Sequence, residues 1–213
     1  MDADRFEQRK QLEQLPIPDA QVFVQPHLFT QEQCNALQHT LLTETTWRAE
    51  TITLFGRTHL QPRLIAWHGD NDAPYTYSGL RLLPAPWTPT LLDIRANVEH
   101  ACAATFNSVL LNYYRDERDS MGLHSDDEPE LGQLPVIASV SLGASRTFTL
   151  KHKRNRALQP IRLNLASGSL LLMRGDTQRN WRHGVPKSPQ PCAARINLTF
   201  RLVRPTRAAP NAA

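Results

Sequence analysis

The chain has 213 residues, 40% of them hydrophobic and 21% charged, with a net charge of +4; that suits one domain with a sizeable core. Its three cysteines, Cys34, Cys102 and Cys192, lie far apart with no CxxC pair, so thiols in a reducing cytoplasm are expected rather than disulfides or a zinc knuckle. No apolar run approaches the ~18 residues that span a bilayer, the polar start carries no secretory h-region, and this basic balance permits nucleic-acid binding without demanding it.

In chain order, residues 1–20 read as a polar, flexible leader. The spacing of Thr30 and Gln33 predicts a capping box opening a helix, with Cys34, Leu37 and Leu41 as its apolar positions. A strand is expected over 51–55. A second helix is predicted from Thr88, with Pro89 in its first turn and Leu91, Ile94, Val98 and Cys102 on one face. Further strands are expected over 107–115, 136–142, 146–151, 160–165, 169–173 and 194–202, each bounded by turn signals. Residues 204–213 read as a frayed tail. Two helices followed by short, closely spaced strands predict an α+β protein on an antiparallel barrel or sandwich. Pattern alone does not separate a jelly roll from other sandwiches.

His124-Ser125-Asp126 places two metal-ligand side chains two residues apart, on one side of an extended segment. His183 offers a third ligand. Two histidines and a carboxylate on one face of an octahedron leave three positions open, the set suited to non-haem iron(II). Taken singly, His124 reads rather as a surface-loop residue, and His183 equally as a turn residue. In 195–201 (Arg-Ile-Asn-Leu-Thr-Phe-Arg), Arg195, Asn197, Thr199 and Arg201 share one strand face, while Ile196, Leu198 and Phe200 share the other. If the polar face is buried, its arginines need anionic partners, which a dicarboxylic ligand would supply to two arginines roughly 20 Å apart along the strand. A solvent-facing basic strand fits the same alternation. Asn112 and Tyr114 add a polar row just ahead of the HxD turn, readable also as an edge-strand pair.

Taken together, Asn112-x-Tyr114, His124-x-Asp126, His183 and Arg195-x-Asn197-x-Thr199-x-Arg201 resemble the AlkB family of 2-oxoglutarate-dependent dioxygenases. Residues 197–201 (NLTFR) are the most specific match, and the resemblance runs from about residue 50 to 203. Tyr75–Leu80, Pro135–Ser141 and Gly168–Leu171 resemble its members that repair double-stranded DNA. The resemblance implies a double-stranded β-helix (jelly-roll) core over 21–203, N-terminal helices and a nucleotide-recognition lid over 47–80. It implies iron(II) on His124, Asp126 and His183, with 2-oxoglutarate contacted by Asn112, Tyr114, Arg195, Asn197, Thr199 and Arg201. The implied reaction uses O2 to oxidise an N-methyl group on bases such as 1-methyladenine and 3-methylcytosine, releasing formaldehyde, succinate and carbon dioxide.

A methyl on a base-pairing edge is reached only if the nucleotide leaves the stack. By the same resemblance, Tyr77, where the subgroup usually has phenylalanine, would cover the flipped base, with Tyr75 beside it, and Asp127 would accept from its exocyclic amine. Phe55 would wedge into the duplex, Gly56 would permit the tight turn, and Arg57 would neutralise a phosphate. Arg63 would sit near the substrate. Without the resemblance, Phe55-Gly56 reads as a strand end packed in a core and Asp127 as part of a solvated acidic turn. The run Lys151–Arg156 suits phosphate contacts or a solvated basic loop. DNA, with RNA as the rival, is the expected partner of a monomer that engages no membrane.

Overall fold

A computed structural model describes residues 11–54, 57–71, 75–77, 80–82 and 84–204, with backbone alone at 52–54, 57, 75–77 and 80–82. The first elements are β1 (Glu13–Gln14), β2 (Gln21–Gln25), α1 (Gln31–Glu44), β3 (Thr51–Leu54), β4 (Arg57–Leu60) and β5 (Leu64–Gly69). They are followed by β6 (Tyr75–Tyr77), β7 (Leu80–Leu82), α2 (Pro89–Cys102), β8 (Ser108–Tyr114) and β9 (Met121–His124). The remainder is β10 (Ile137–Gly143), β11 (Arg146–His152), β12 (Ile161–Leu165), β13 (Leu170–Arg174), the single-turn α3 (Thr177–Asn180), β14 (Trp181–Val185) and β15 (Arg195–Arg201).

Both long helices start where their caps require. Thr30 Oγ1 accepts from Gln33 N (3.2 Å) while Gln33 Oε1 accepts from Thr30 N (2.9 Å), closing the capping box at α1. Thr88 Oγ1 accepts from Leu91 N, and Pro89 occupies the first turn of α2, where its missing N–H has no intrahelical partner to lose. Leu91, Ile94, Val98 and Cys102 are all buried on that helix. Cys34 and Cys102 are buried free thiols and Cys192 is a half-buried one.

Eleven of the strands form two antiparallel sheets packed face to face: a large one in the order β1-β2-β13-β10-β15-β8-β5 and a small one in the order β12-β11-β14-β9. This is the jelly-roll core that the strand pattern left open. Alternation divides the large sheet cleanly. Val109, Leu111, Ala138, Val140, Leu142, Leu170, Leu172, Ile196, Leu198 and Phe200 pack against the buried faces of α1 and α2. Leu110, Tyr114, Ile137, Leu171 and Met173, on the opposite face, pack with Phe148, Leu150, Leu165, Trp181 and Val185 of the small sheet. Burial on both faces makes register stringent, since a one-residue slip exchanges the two sets.

Three stretches differ from the sequence reading. From residue 11 onward the supposed leader is part of the fold: β1 pairs with β2, Ile17 is buried, and Pro18 O accepts from Trp181 Nε1 (2.9 Å). Its few apolar residues, Leu12, Leu15 and Ile17, all pack into the two apolar cores. The segment 47–80 is not all lid, because β5 forms the edge of the large sheet against β8, while β3–β4 and β6–β7 form separate two-stranded ribbons. The expected strand 51–55 is β3, and Phe55 and Gly56 lie outside the described residues. Of the tail, Arg204 donates its backbone N–H to Glu130 O (2.8 Å); the rest, 205–213, also lies outside them. No helix among the described residues is long and apolar enough to cross a membrane.

Candidate metal centre

His124 ends β9, Asp126 lies two residues beyond it, and His183 is the central residue of β14. The two histidines are cross-strand partners, which explains how ligands far apart in sequence meet. His183 is thus a strand residue, not a turn residue. Its neighbour Gly184 lacks a side chain where β14 passes closest to β9: a Cβ there would fall 2.7 Å from Met121 O. One ligand atom from each of His124, Asp126 and His183 lies within 4.8 Å of the others. His124 Nε2 is 3.9 Å from Asp126 Oδ1, and His183 Nε2 is 3.6 Å from Asp126 Oδ2.

Neighbours fix each of the three. His124 Nδ1 lies 3.0 Å from Gly122 O; a carbonyl only accepts, so Nδ1 carries the proton and Nε2 keeps its lone pair. Ser125 Oγ donates to Trp181 O (2.9 Å), Asp126 N donates to Gln178 Oε1 (3.0 Å), and the Phe148 ring stacks on His183 at 5.3 Å. Asp126 is fully buried and accepts from Arg201 Nη2 at 2.7 Å. Burial opposes the charged carboxylate, but Arg201 and the two histidines outweigh it and hold the group at about 2. Burial, reinforced by His124, pushes His183 down to about 3; burial also lowers His124, against the pull of Asp126. At neutral pH the cluster is therefore two neutral imidazoles and one carboxylate, the protonation state a divalent metal needs.

Across the interior, β15 presents Arg195, Asn197, Thr199 and Arg201 to the small sheet, and its alternate residues Ile196, Leu198 and Phe200 to the helices. That settles the strand's ambiguity in favour of a buried polar face. Arg195 and Arg201 are both 1% exposed and line one pocket with Tyr114, His124 and His183. Arg195 Nη2 donates to Ser141 Oγ (2.9 Å), while its Nε and Nη1 make no hydrogen bond. Donors left idle on a buried guanidinium are costly unless an acceptor fills the pocket. Tyr114 O–H reaches Met121 Sδ at 3.8 Å.

The remaining expected ligand contacts are partly engaged within the protein. Asn197 Nδ2 donates to Ser139 Oγ (2.6 Å) and Val140 O (3.1 Å), and its Oδ1 accepts from Thr199 Oγ1 (3.0 Å). Asn112 is buried, and its Oδ1 accepts from Arg63 Nε (2.7 Å); Arg63 is itself buried. Arg201, expected at the far end of a diacid from Arg195, directs Nη2 onto Asp126 and also lines the pocket. Asp127 is exposed and accepts from Lys153 Nζ (2.9 Å), which also donates to Gln178 O (2.8 Å). Lys153 is thus anchored, whereas Arg154 and Arg156 of the same basic run are exposed. Arg57 stands in β4 and Tyr75 and Tyr77 in β6, their side chains outside the description. Sequence reasoning missed Gln178, Phe148, Gly184 and Arg146, whose partners come from other strands and loops.

The donor set fits iron(II): nitrogen and carboxylate ligands on one side, and a second Asp126 oxygen, Oδ2, that accepts no hydrogen bond. The idle donors of Arg195 fit a carboxylate of 2-oxoglutarate. Residues 21–201 match the family model described as the 2OG-Fe(II) oxygenase superfamily. The chain is 46% identical over 156 residues to alkB homolog 3 of Mus musculus, covering 70% of this chain and 54% of the relative. It is 44% identical over 162 residues to the DNA oxidative demethylase ALKBH2 of the same species, covering 73% of this chain and 68% of the relative. The chain thus spans about half the length of the first and two thirds of the second. The solved structure of OsALKBH1 superposes with a TM-score of 0.62 at 19% identity, covering 90% of this chain and all of that one, a likeness of fold. The chain belongs to the 2OG-Fe(II) oxygenase superfamily and, within it, to the AlkB homologues, a family whose reactants are iron(II), 2-oxoglutarate and dioxygen.

Proposed function

We propose that this protein oxidatively demethylates N-alkylated DNA bases, with iron(II) on His124, Asp126 and His183 and 2-oxoglutarate received by Arg195 and Tyr114. The observation that carries the reading is that His124 and His183 of the triad, on the small sheet, line one pocket with Arg195 and Arg201 of the large sheet, while Asp126 joins the two through Arg201. Held by His124, Asp126 and His183, iron(II) would supply, with 2-oxoglutarate and oxygen, oxidation of the N-methyl group to a hydroxymethyl that leaves as formaldehyde, with succinate and carbon dioxide as co-products.

The chain's own contribution is positional. Arg201 keeps Asp126 ionised and aimed, the Gly122 carbonyl keeps His124 Nε2 free of a proton, and Gln178 fixes the backbone between the ligands. Met121, Phe148, Met173 and Val185 line the pocket with apolar surface, which keeps water from the reacting groups. Arg195 supplies charge-assisted donors to a carboxylate, with Asn197, Thr199 and Arg201 shaping the same wall and Asn112 standing behind it as the cross-strand partner of Asn197.

Within this reading the substrate is duplex DNA carrying 1-methyladenine or 3-methylcytosine. Phe55 is the wedge, Gly56 and Arg57 form its turn and phosphate contact, and Arg63, Tyr75, Tyr77 and Asp127 receive the flipped base. The ALKBH2 relatives are named DNA oxidative demethylases, which supports DNA as the substrate class; the duplex preference rests on the proposed wedge beside the paired strands β3 and β4. A cytoplasmic monomer is the form proposed. The test is formaldehyde release from matched single- and double-stranded DNA oligonucleotides, and from RNA of the same sequence, bearing either lesion. Wild type is expected to act on both, and Phe55→Ala to lose duplex activity alone. Normal duplex activity in Phe55→Ala would remove the wedge, and release only from RNA would move the substrate class.

A further inference from the structure

Arg146, the first residue of β11, is buried at 3% exposure and forms no ion pair among the described residues. Its guanidinium is held instead by three backbone carbonyls. Nη1 donates to Asp116 O (3.1 Å), and Nη2 donates to Asp119 O and Pro186 O (2.8 Å each). The nearby carboxylates are engaged elsewhere: Asp119 with Arg115 and Asp116 with Arg118. Arg146 thus ties the loop between β8 and β9 to the end of β14. That loop also reaches Pro62, through Ser120 N (2.8 Å), and Ser188, through Glu117 O (2.9 Å).

A second buried guanidinium lies close by. The centres of Arg146 and Arg195 stand 5.6 and 5.3 Å from the centroid of the Tyr114 ring, and Arg195 has two idle donors. Two buried cations beside one ring repel each other unless an anion joins them. Carbonyl dipoles stabilise Arg146 without cancelling its charge, so the field it adds at the Arg195 end of the pocket remains available.

We propose that Arg146 is a positioning and specificity residue that gives the pocket its preference for a 2-oxo acid with a second carboxylate. It acts by fixing Tyr114 and by placing another positive charge beside Arg195. This inference rests on the 2-oxoglutarate reading above. A carbonyl clamp with no electrostatic role would support any 2-oxo acid equally, and there the two accounts part.

The experiment titrates the Mn(II)-loaded protein by calorimetry with 2-oxoglutarate and with 2-oxopentanoate, which has the same carbon count but no second carboxylate. In Arg146→Met, 2-oxoglutarate is expected to weaken about tenfold, the scale of losing one nearby charge, with 2-oxopentanoate changed by less than about twofold. Arg146→Lys should restore most of the preference. Arg146→Gln, which keeps an amide donor for one carbonyl, replaces the methionine variant if circular dichroism shows that variant unfolded. Equal weakening of both ligands, or no change in either, overturns the proposal while leaving the co-substrate reading intact. Wild type that binds neither ligand overturns the co-substrate reading, and this inference with it.

Discussion

The two faces of β15 are almost equally buried, yet they do opposite work. Ile196, Leu198 and Phe200 are fully buried against the helices, where apolar contacts replace water and the gain is stability. Arg195 and Arg201 are buried almost as completely, but one leaves donors idle and the other is committed to Asp126. Burial therefore does not separate packing from chemistry on this strand; what each buried group still lacks does. The outer face is complete in itself, and the inner face is completed by what it binds.

Substitutions on the inner side should break this contrast most visibly. Replacing His124 or Asp126 with alanine should abolish turnover in a formaldehyde assay, with the circular dichroism spectrum unchanged. Retained turnover in both variants would refute the metal assignment. Arg195→Met should raise the 2-oxoglutarate requirement by roughly 10- to 100-fold, the scale of a lost charge-assisted hydrogen bond, with thermal stability of the metal-free protein little altered. On the outer face, Phe200→Ala should cost about 3–5 kcal/mol in denaturant unfolding and leave the 2-oxoglutarate requirement of the folded fraction unchanged. If Phe200→Ala shifts that requirement as strongly as Arg195→Met, the two faces are not separable.

pH sharpens the same contrast more gently. His183, at about 3, and Asp126, at about 2, both bind protons less readily in the fold than in an unfolded chain. The unfolded state therefore holds more protons, and stability rises with pH. The His183 share is complete above about 6.5 and is lost as pH falls towards its folded value; the Asp126 share is lost below about 4. The melting temperature of the metal-free protein should fall between pH 7 and 5, and His183→Gln should flatten that slope. The smallest effect is expected at the rim, where Lys153→Ala should cost under about 1 kcal/mol.

Some of this was legible in the chain because the signal is local. Thr30 with Gln33 and Thr88 with Pro89 set helix starts through contacts within one turn, and the alternation of 195–201 announces a strand with two different faces. Which face was inward was not local: it followed from α1 and α2 covering the apolar side. Tryptophan, arginine, histidine and glycine in 181–184 carry no strand alternation, so β14 is made by pairing with β9 and β11. β2 and residues 11–20 are likewise held by β13 and Trp181. Arg146 was invisible for a related reason, since all three of its acceptors are backbone carbonyls that any sequence would offer.

The central claim is that the triad and the arginine face form one oxidising site for a methylated base. Its most direct measurement incubates wild type and Asp126→Ala with iron(II), ascorbate, 2-oxoglutarate and an oligonucleotide carrying 1-methyladenine, and counts formaldehyde and succinate. The account predicts both products from wild type, with formaldehyde dependent on 2-oxoglutarate, and neither from the folded variant. Absence of both products with wild type, or their undiminished release by Asp126→Ala, would contradict it.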